Sequence, residues 1–138
     1  MRMTRSNPPT VAPPIGSYSH AVRVATQDAV WVYVSGQIAH DADGNLMGRG
    51  DLPAQTEQVF RNLVRVLEAN GASFDDVVKI QTFLTTMDGL QGSRDVRARY
   101  LPDEPPASTA VQVTALMVPE ALIEVEVVAV VAVVAVDR

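Results

Sequence analysis

The chain has 138 residues, 47% of them hydrophobic and 20% charged, with a formal net charge of −5. That is enough for one domain around a single core, and the acidic balance disfavours nucleic acid as a partner. With no cysteine and two histidines, disulfides, thiolate chemistry and a histidine-rich metal centre are excluded.

Residues 1–13 are rich in Pro, Ser and Thr and are predicted to be a flexible tail ahead of a single domain over 14–138. The basic start Met1-Arg2-Met3-Thr4-Arg5 is followed by polar, proline-rich sequence. No apolar run of a secretory leader follows it, so the expected location is the cytoplasm.

Segments 21–26 and 30–35 alternate as paired strands, with a turn at Gln27-Asp28. Asp41-Ala42-Asp43-Gly44-Asn45 has turn chemistry, since Gly and Asn tolerate positive φ. The strongest helix is predicted over 53–70, with Pro53 in its first turn. Val59, Phe60, Leu63, Val66 and Leu67 recur at helical spacing, and Gly71 is a stop signal. A strand over 77–85, a weaker helix over 90–101 and strands over 109–116 and 122–136 complete the chain. Pro102, Pro105 and Pro106 stand beyond the second helix.

The terminal Val-Ala run is too short for a membrane helix, which needs about 20 residues. Its valine content favours a strand buried on both faces. The order is ββ, with room for a short third strand, then αβαββ: an α+β fold with a mixed sheet of five or six strands. Two helices cover one face of such a sheet. Apolar residues on the other face point to an oligomer.

Two local patterns carry no chemistry. Ser19 and His20 are adjacent, but no acid orients the pair, and a triad is defined by geometry rather than by adjacency. Asp41, Asp43 and Asn45 have the spacing of a calcium loop, but Leu52 stands where the loop's last acidic ligand belongs. No metal set is expected.

Four segments read together are more specific than any one of them. They are Gly16-Ser17-Tyr18-Ser19-His20-Ala21, Val34-Ser35-Gly36-Gln37-Ile38, Pro105-Pro106-Ala107-Ser108-Thr109-Ala110-Val111 and Ile123-Glu124-Val125-Glu126. In order and spacing they resemble the signature of the RidA/YjgF family, over roughly residues 14–130. The best-known members of that family hydrolyse reactive enamines and imines. The resemblance implies a chorismate-mutase-like fold with a six-stranded mixed sheet and two helices on one face. It also implies a homotrimer whose sheets build a central barrel. Small-molecule sites would lie in clefts between subunits, with no cofactor and no membrane partner.

Carried across, the resemblance makes Glu124 the catalytic acid that positions or activates water. Tyr18, Ser35, Gly36 and Ala110 become substrate-binding positions. Ser108 stands where active members carry a carboxylate-binding arginine. Arg94 falls where some members have a cleft-facing asparagine. Ser17 replaces the usual proline, and the connection Leu116-Met117-Val118-Pro119 is longer than the common form. These departures resemble the arginine-lacking subgroups of the family.

A guanidinium grips a carboxylate through two parallel hydrogen bonds, whereas serine offers one uncharged hydroxyl. Each charge-assisted bond contributes roughly 1.5–3 kcal/mol, so weak or absent hydrolysis of small 2-imino acids is expected. Arg94 can supply a relocated cation, or the substrate can lack a carboxylate; as a bare sequence feature, Arg94, Arg97 and Arg99 make an ordinary solvated helix face. The leading expectation is cofactor-free hydrolysis of an imine, enamine or related electrophile with an altered substrate. The alternative is a non-catalytic ligand-binding or interaction trimer. Endoribonuclease activity is a third reading, which the acidic charge opposes.

Overall fold

The 3.6-residue apolar period becomes helix α1, Leu52–Ala69, in a computed structural model that describes residues 1–133. The Asp51 carboxylate caps it by accepting from the Ala54 N–H at 3.0 Å, and Pro53 sits in the first turn, where no intrahelical N–H is needed. Val59, Phe60, Leu63, Val66 and Leu67 are all buried. Gly71 takes φ +75° and lets the chain leave the helix.

The strands are β1 (Arg2–Ser6), β2 (Ala21–Ala25), β3 (Ala29–Gln37), β4 (Val77–Leu84), β5 (Ala107–Gln112) and β6 (Ile123–Ala132). They form one six-stranded sheet in the order β1-β2-β3-β6-β4-β5. Every pairing is antiparallel except β4 with β5, which is parallel. Parallel neighbours need a crossover, and helix α2 (Leu90–Ala98) supplies it. α1 packs on β3 and β6, and α2 packs on α1, so one face of the sheet carries both helices. A Cβ on Gly92 would come within 2.7 Å of Pro53 Cγ, which shows how closely the helices approach. The α+β, six-stranded mixed architecture expected from the sequence is the one observed.

The core lies between helices and sheet. Val30, Val32 and Val34 of β3 point into it, as do Ile123, Val125, Val127 and Ala129 of β6. Their neighbours Trp31 and Tyr33 are exposed on the opposite face. β6 is therefore not buried on both faces within one chain: Val128 and Val130 are only half-buried. Residues 134–136 of the expected strand lie outside the described residues.

Three further expectations change. Residues 2–6, assigned to a flexible tail, pair with β2 from Arg2↔Ala25 to Ser6↔Ala21. Most of β1 is exposed, so backbone ladder bonds hold it and no apolar alternation announces it. The rest of that segment is also tied down: Asn7 Oδ1 accepts from the His20 N–H at 2.9 Å, and Val11 and Ala12 are buried. α2 stops at Ala98, because the following turn brings Tyr100 onto Phe60 and Phe74 and its hydroxyl to Glu57 at 2.7 Å. β5 spans 107–112 rather than 109–116, since its partner β4 ends at Leu84, paired with Gln112. No helix among the described residues is long and apolar enough to cross a membrane.

Candidate functional site

The ladder between β3 and β6 breaks register between Val34 and Gln37, where three steps on β3 match two on β6. This bulge sets Ser35 and Gly36 against the single position of Glu126 and turns the local backbone toward Glu124. A Cβ on Gly36 would lie 2.7 Å from Glu124 Oε1, so the missing side chain is what admits the carboxylate.

Tyr18, Ser35, Gly36 and Glu124 share one open cavity of about 620 Å³, completed by Ile15, Gly16, Met117 and Glu126. Tyr18 is held edge-on to His20, with centroids 6.2 Å apart, and its hydroxyl accepts from the Ile15 N–H at 3.4 Å. The Ser35 hydroxyl donates to the Ser19 carbonyl at 2.6 Å. Beneath them, His20 Nε2 donates to the Ala12 carbonyl at 2.7 Å and Nδ1 accepts from Gln37 Nε2 at 3.1 Å. That pairing fixes the tautomer and assigns His20 to scaffolding. It also agrees with the absence of a nucleophile at Ser19.

Burial pushes the Glu124 carboxyl above the usual glutamate range, and the charge of Glu126 on the same face adds to the shift. A half-buried carboxylate of raised basicity in an open cavity is suited to taking a proton from water. Among the described residues, no cluster of three or more His, Asp or Glu side chains is placed to hold a metal.

Ala110 and Arg94 are elsewhere. They line a second cavity of about 180 Å³ between α2 and the edge of the sheet. Ser108 pairs with Ile80 and Ala110 with Thr82, both buried toward the helices, whereas Glu124 pairs with Phe83 on the other side. Within one chain, then, the structure joins four of the named residues and separates them from Arg94, Ser108 and Ala110 by the thickness of the sheet.

Two residues were not singled out by the sequence. Glu126 lies two positions from Glu124 and so on the same strand face. Arg97, three positions after Arg94 on α2, donates from Nη2 to Ser108 Oγ at 2.9 Å. Burial, and then the charge of Arg94, lower its pKa. Helical i, i+3 spacing was the available signal for this pair.

Residues 9–131 match the family described as endoribonuclease L-PSP. A RutC family protein of Pyrococcus abyssi is 35% identical over 116 residues, covering 84% of this chain and 87% of that one. A 2-iminobutanoate/2-iminopropanoate deaminase of the mite Dermatophagoides farinae is 35% identical, covering 78% of this chain and 81% of its own. The crystal structure of RidA from an Antarctic Psychrobacter superposes with a TM-score of 0.82 at 34% identity, covering 94% and 100% of the two chains.

Proposed function

The chain belongs to the RidA/YjgF family, described also as endoribonuclease L-PSP, and from that premise we propose that it hydrolyses an imine, enamine or related electrophile at Glu124. The observation that carries this reading is the Glu124 carboxylate, its proton affinity raised by burial, seated over Gly36 in the open cavity beside Tyr18. Water adds through oxygen to the imine carbon while Glu124 takes its proton. That proton passes to the imine nitrogen as the carbinolamine forms. The carbinolamine hydroxyl then gives up its proton, by way of Glu124, to the leaving nitrogen as the C–N bond breaks, releasing an amine or ammonia, leaving a carbonyl and returning Glu124 to its ionised form. Water is the only co-reactant this requires, and no cofactor enters.

The proposed working unit is a homotrimer with the reaction in a cleft between subunits. Two observations support it. Every residue of β5 is exposed at a free sheet edge. The face opposite the helices carries Trp31, Tyr33, Val128 and Val130 without cover. A neighbouring subunit on that edge would bring the Ser108 side of one chain to the Glu124 side of another, which one chain cannot do for itself.

Incubation with an imine that carries no carboxylate, generated in place by an amine oxidase, followed by semicarbazide trapping, tests the reading. Faster loss of imine with the native protein than with Glu124→Gln is the expected result. Equal rates would exclude Glu124 from the chemistry.

One observation favours a second reading, a trimer that binds a ligand without converting it. The Ser35 hydroxyl is already spent on the Ser19 carbonyl. A ligand-induced rise in Tm with no turnover by native protein would select that reading. The acidic net charge of −5 gives ribonuclease action the least support.

A further inference from the structure

The cavity at Glu124 has the wrong charge for an anion. Two acids, Glu124 and Glu126, line it, and among the described residues no Lys, Arg or His does. The acids are two positions apart on one strand face, and their mutual repulsion helps Glu124 to keep its proton. No ion pair among the described residues engages either. Lys79 lines an adjoining cavity with Glu126, but its Nζ donates to Thr109 Oγ1 at 3.0 Å. A cation between two carboxylates relieves their repulsion, whereas a further anion adds to it. Tyr18 contributes an aromatic ring, which also attracts a cation.

The rest of the wall is apolar and faces water. Met117 is 92% exposed and Ile15 60%. Met117 stands on the connection between β5 and β6, where this chain is longer than the common family form. The end of that connection is held firmly. Gln55, fully buried, donates from Nε2 to the Glu120 carbonyl at 3.0 Å and accepts from the Leu122 N–H at 2.8 Å. Arg49 pairs with the Glu120 carboxylate. Glu120 has φ +68° and is the one non-glycine residue with positive φ among the described residues. A buried amide and a left-handed residue thus hold the loop that keeps Met117 in water. Apolar side chains displayed together beside a cavity mark a binding surface, and a thioether adapts to varied apolar shapes.

We propose that this cavity selects a planar C=N compound with a positive charge at nitrogen, an aromatic body and no carboxylate, Glu126 reading the charge and Met117 covering the ring. An iminium ion of this kind and water give a carbonyl compound and an ammonium ion, so the proton at nitrogen arrives with the substrate and leaves with the product. As a statement about substrate class this rests on the hydrolytic reading above; as a statement about binding it does not.

Calorimetry on the full-length protein with benzamidinium, benzamide and benzoate tests it without any turnover. The three have nearly the same shape and carry charges of opposite sign or none. Benzamidinium should bind about tenfold or more tighter than benzoate, with benzamide between them. Glu126→Gln should weaken benzamidinium by about fivefold and leave benzamide unchanged, since only the charged ligand uses the carboxylate. Met117→Ser should weaken benzamidinium and benzamide alike, by about threefold or more, and leave their order intact. Both substituted residues are exposed, and circular dichroism establishes that each variant is folded. Benzoate binding as tightly as benzamidinium would overturn the proposal, because it would place a cation in the cleft. So would an unchanged ratio of benzamidinium to benzamide in Glu126→Gln, or unchanged affinities in Met117→Ser. The imine that an amine oxidase makes from benzylamine has the same ring and no carboxylate. If native protein fails to hydrolyse it while the binding order holds, the hydrolytic reading falls and the ligand class stands; hydrolysis with benzoate bound most tightly does the reverse.

Discussion

Gly36 and Glu124 form a side-chain-for-space pair: the carboxylate occupies volume that any Cβ at position 36 would claim, with 2.7 Å to Oε1 and 2.9 Å to Cγ. Gly36 is thus required by close approach rather than by an unusual backbone angle.

Gly36→Ala should consequently separate activity from stability. The atoms it strikes belong to a mobile side chain, so the fold should lose no more than about 1 kcal/mol. The displaced carboxylate should lower imine hydrolysis by about tenfold or more. Urea unfolding and the trapping assay on the same preparation check both halves.

Glu124 should make stability depend on pH in a defined direction. Its folded-state pKa lies above its ordinary value, so the folded protein holds the proton more tightly than the unfolded chain. Its contribution is fully present below the ordinary glutamate pKa of about 4.3 and is lost as pH rises through the raised value. Glu124→Gln should melt close to the native protein at low pH and above it near neutrality. A variant melting below the native protein at pH 7 would contradict this.

Light scattering at micromolar concentration should return three times the 14.8 kDa chain mass. A stable monomer would remove the shared cleft and, with it, any meeting of Glu124 and Ser108 across subunits.

Small 2-imino acids should be poor substrates compared with relatives that carry arginine at the position of Ser108. Two missing charge-assisted bonds correspond to a loss on the order of a hundredfold or more. A rate matching those relatives would show that Arg97 fully replaces the absent side chain.

The sequence carried the helices and the inner strands because burial leaves a period behind. Val59, Phe60, Leu63, Val66 and Leu67 mark α1, and Val30, Val32 and Val34 mark the inward face of β3. β1 left no such mark, since its residues are held by backbone bonds and mostly face solvent. The bounds of β5 were set by where β4 ends, a long-range fact that its own residues do not encode.

The site was legible to the same extent. The resemblance named Tyr18, Ser35, Gly36 and Glu124, and these share a cavity. Ser108 read as an empty position because the residue that reaches it comes from another element. Arg97 looked like one more cation on a solvated helix; its hydrogen bond to Ser108 goes with how closely Gly92 lets α2 sit against Pro53.

The edge strand β5 has a bearing on how the protein must be handled. Its six residues, Ala-Ser-Thr-Ala-Val-Gln, lie open along one side of the sheet, with Lys79 reaching across to Thr109 and Arg97 to Ser108 as nearby charges. A bare edge is a template for any extended chain, and lysine beside it is a common guard against such pairing. If the proposed trimer covers this edge, dilution that dissociates it exposes the edge to proteases and to stray strand pairing together. Shelf life should therefore lengthen, not shorten, as stocks are made more concentrated, the reverse of what is seen when precipitation begins from the folded surface.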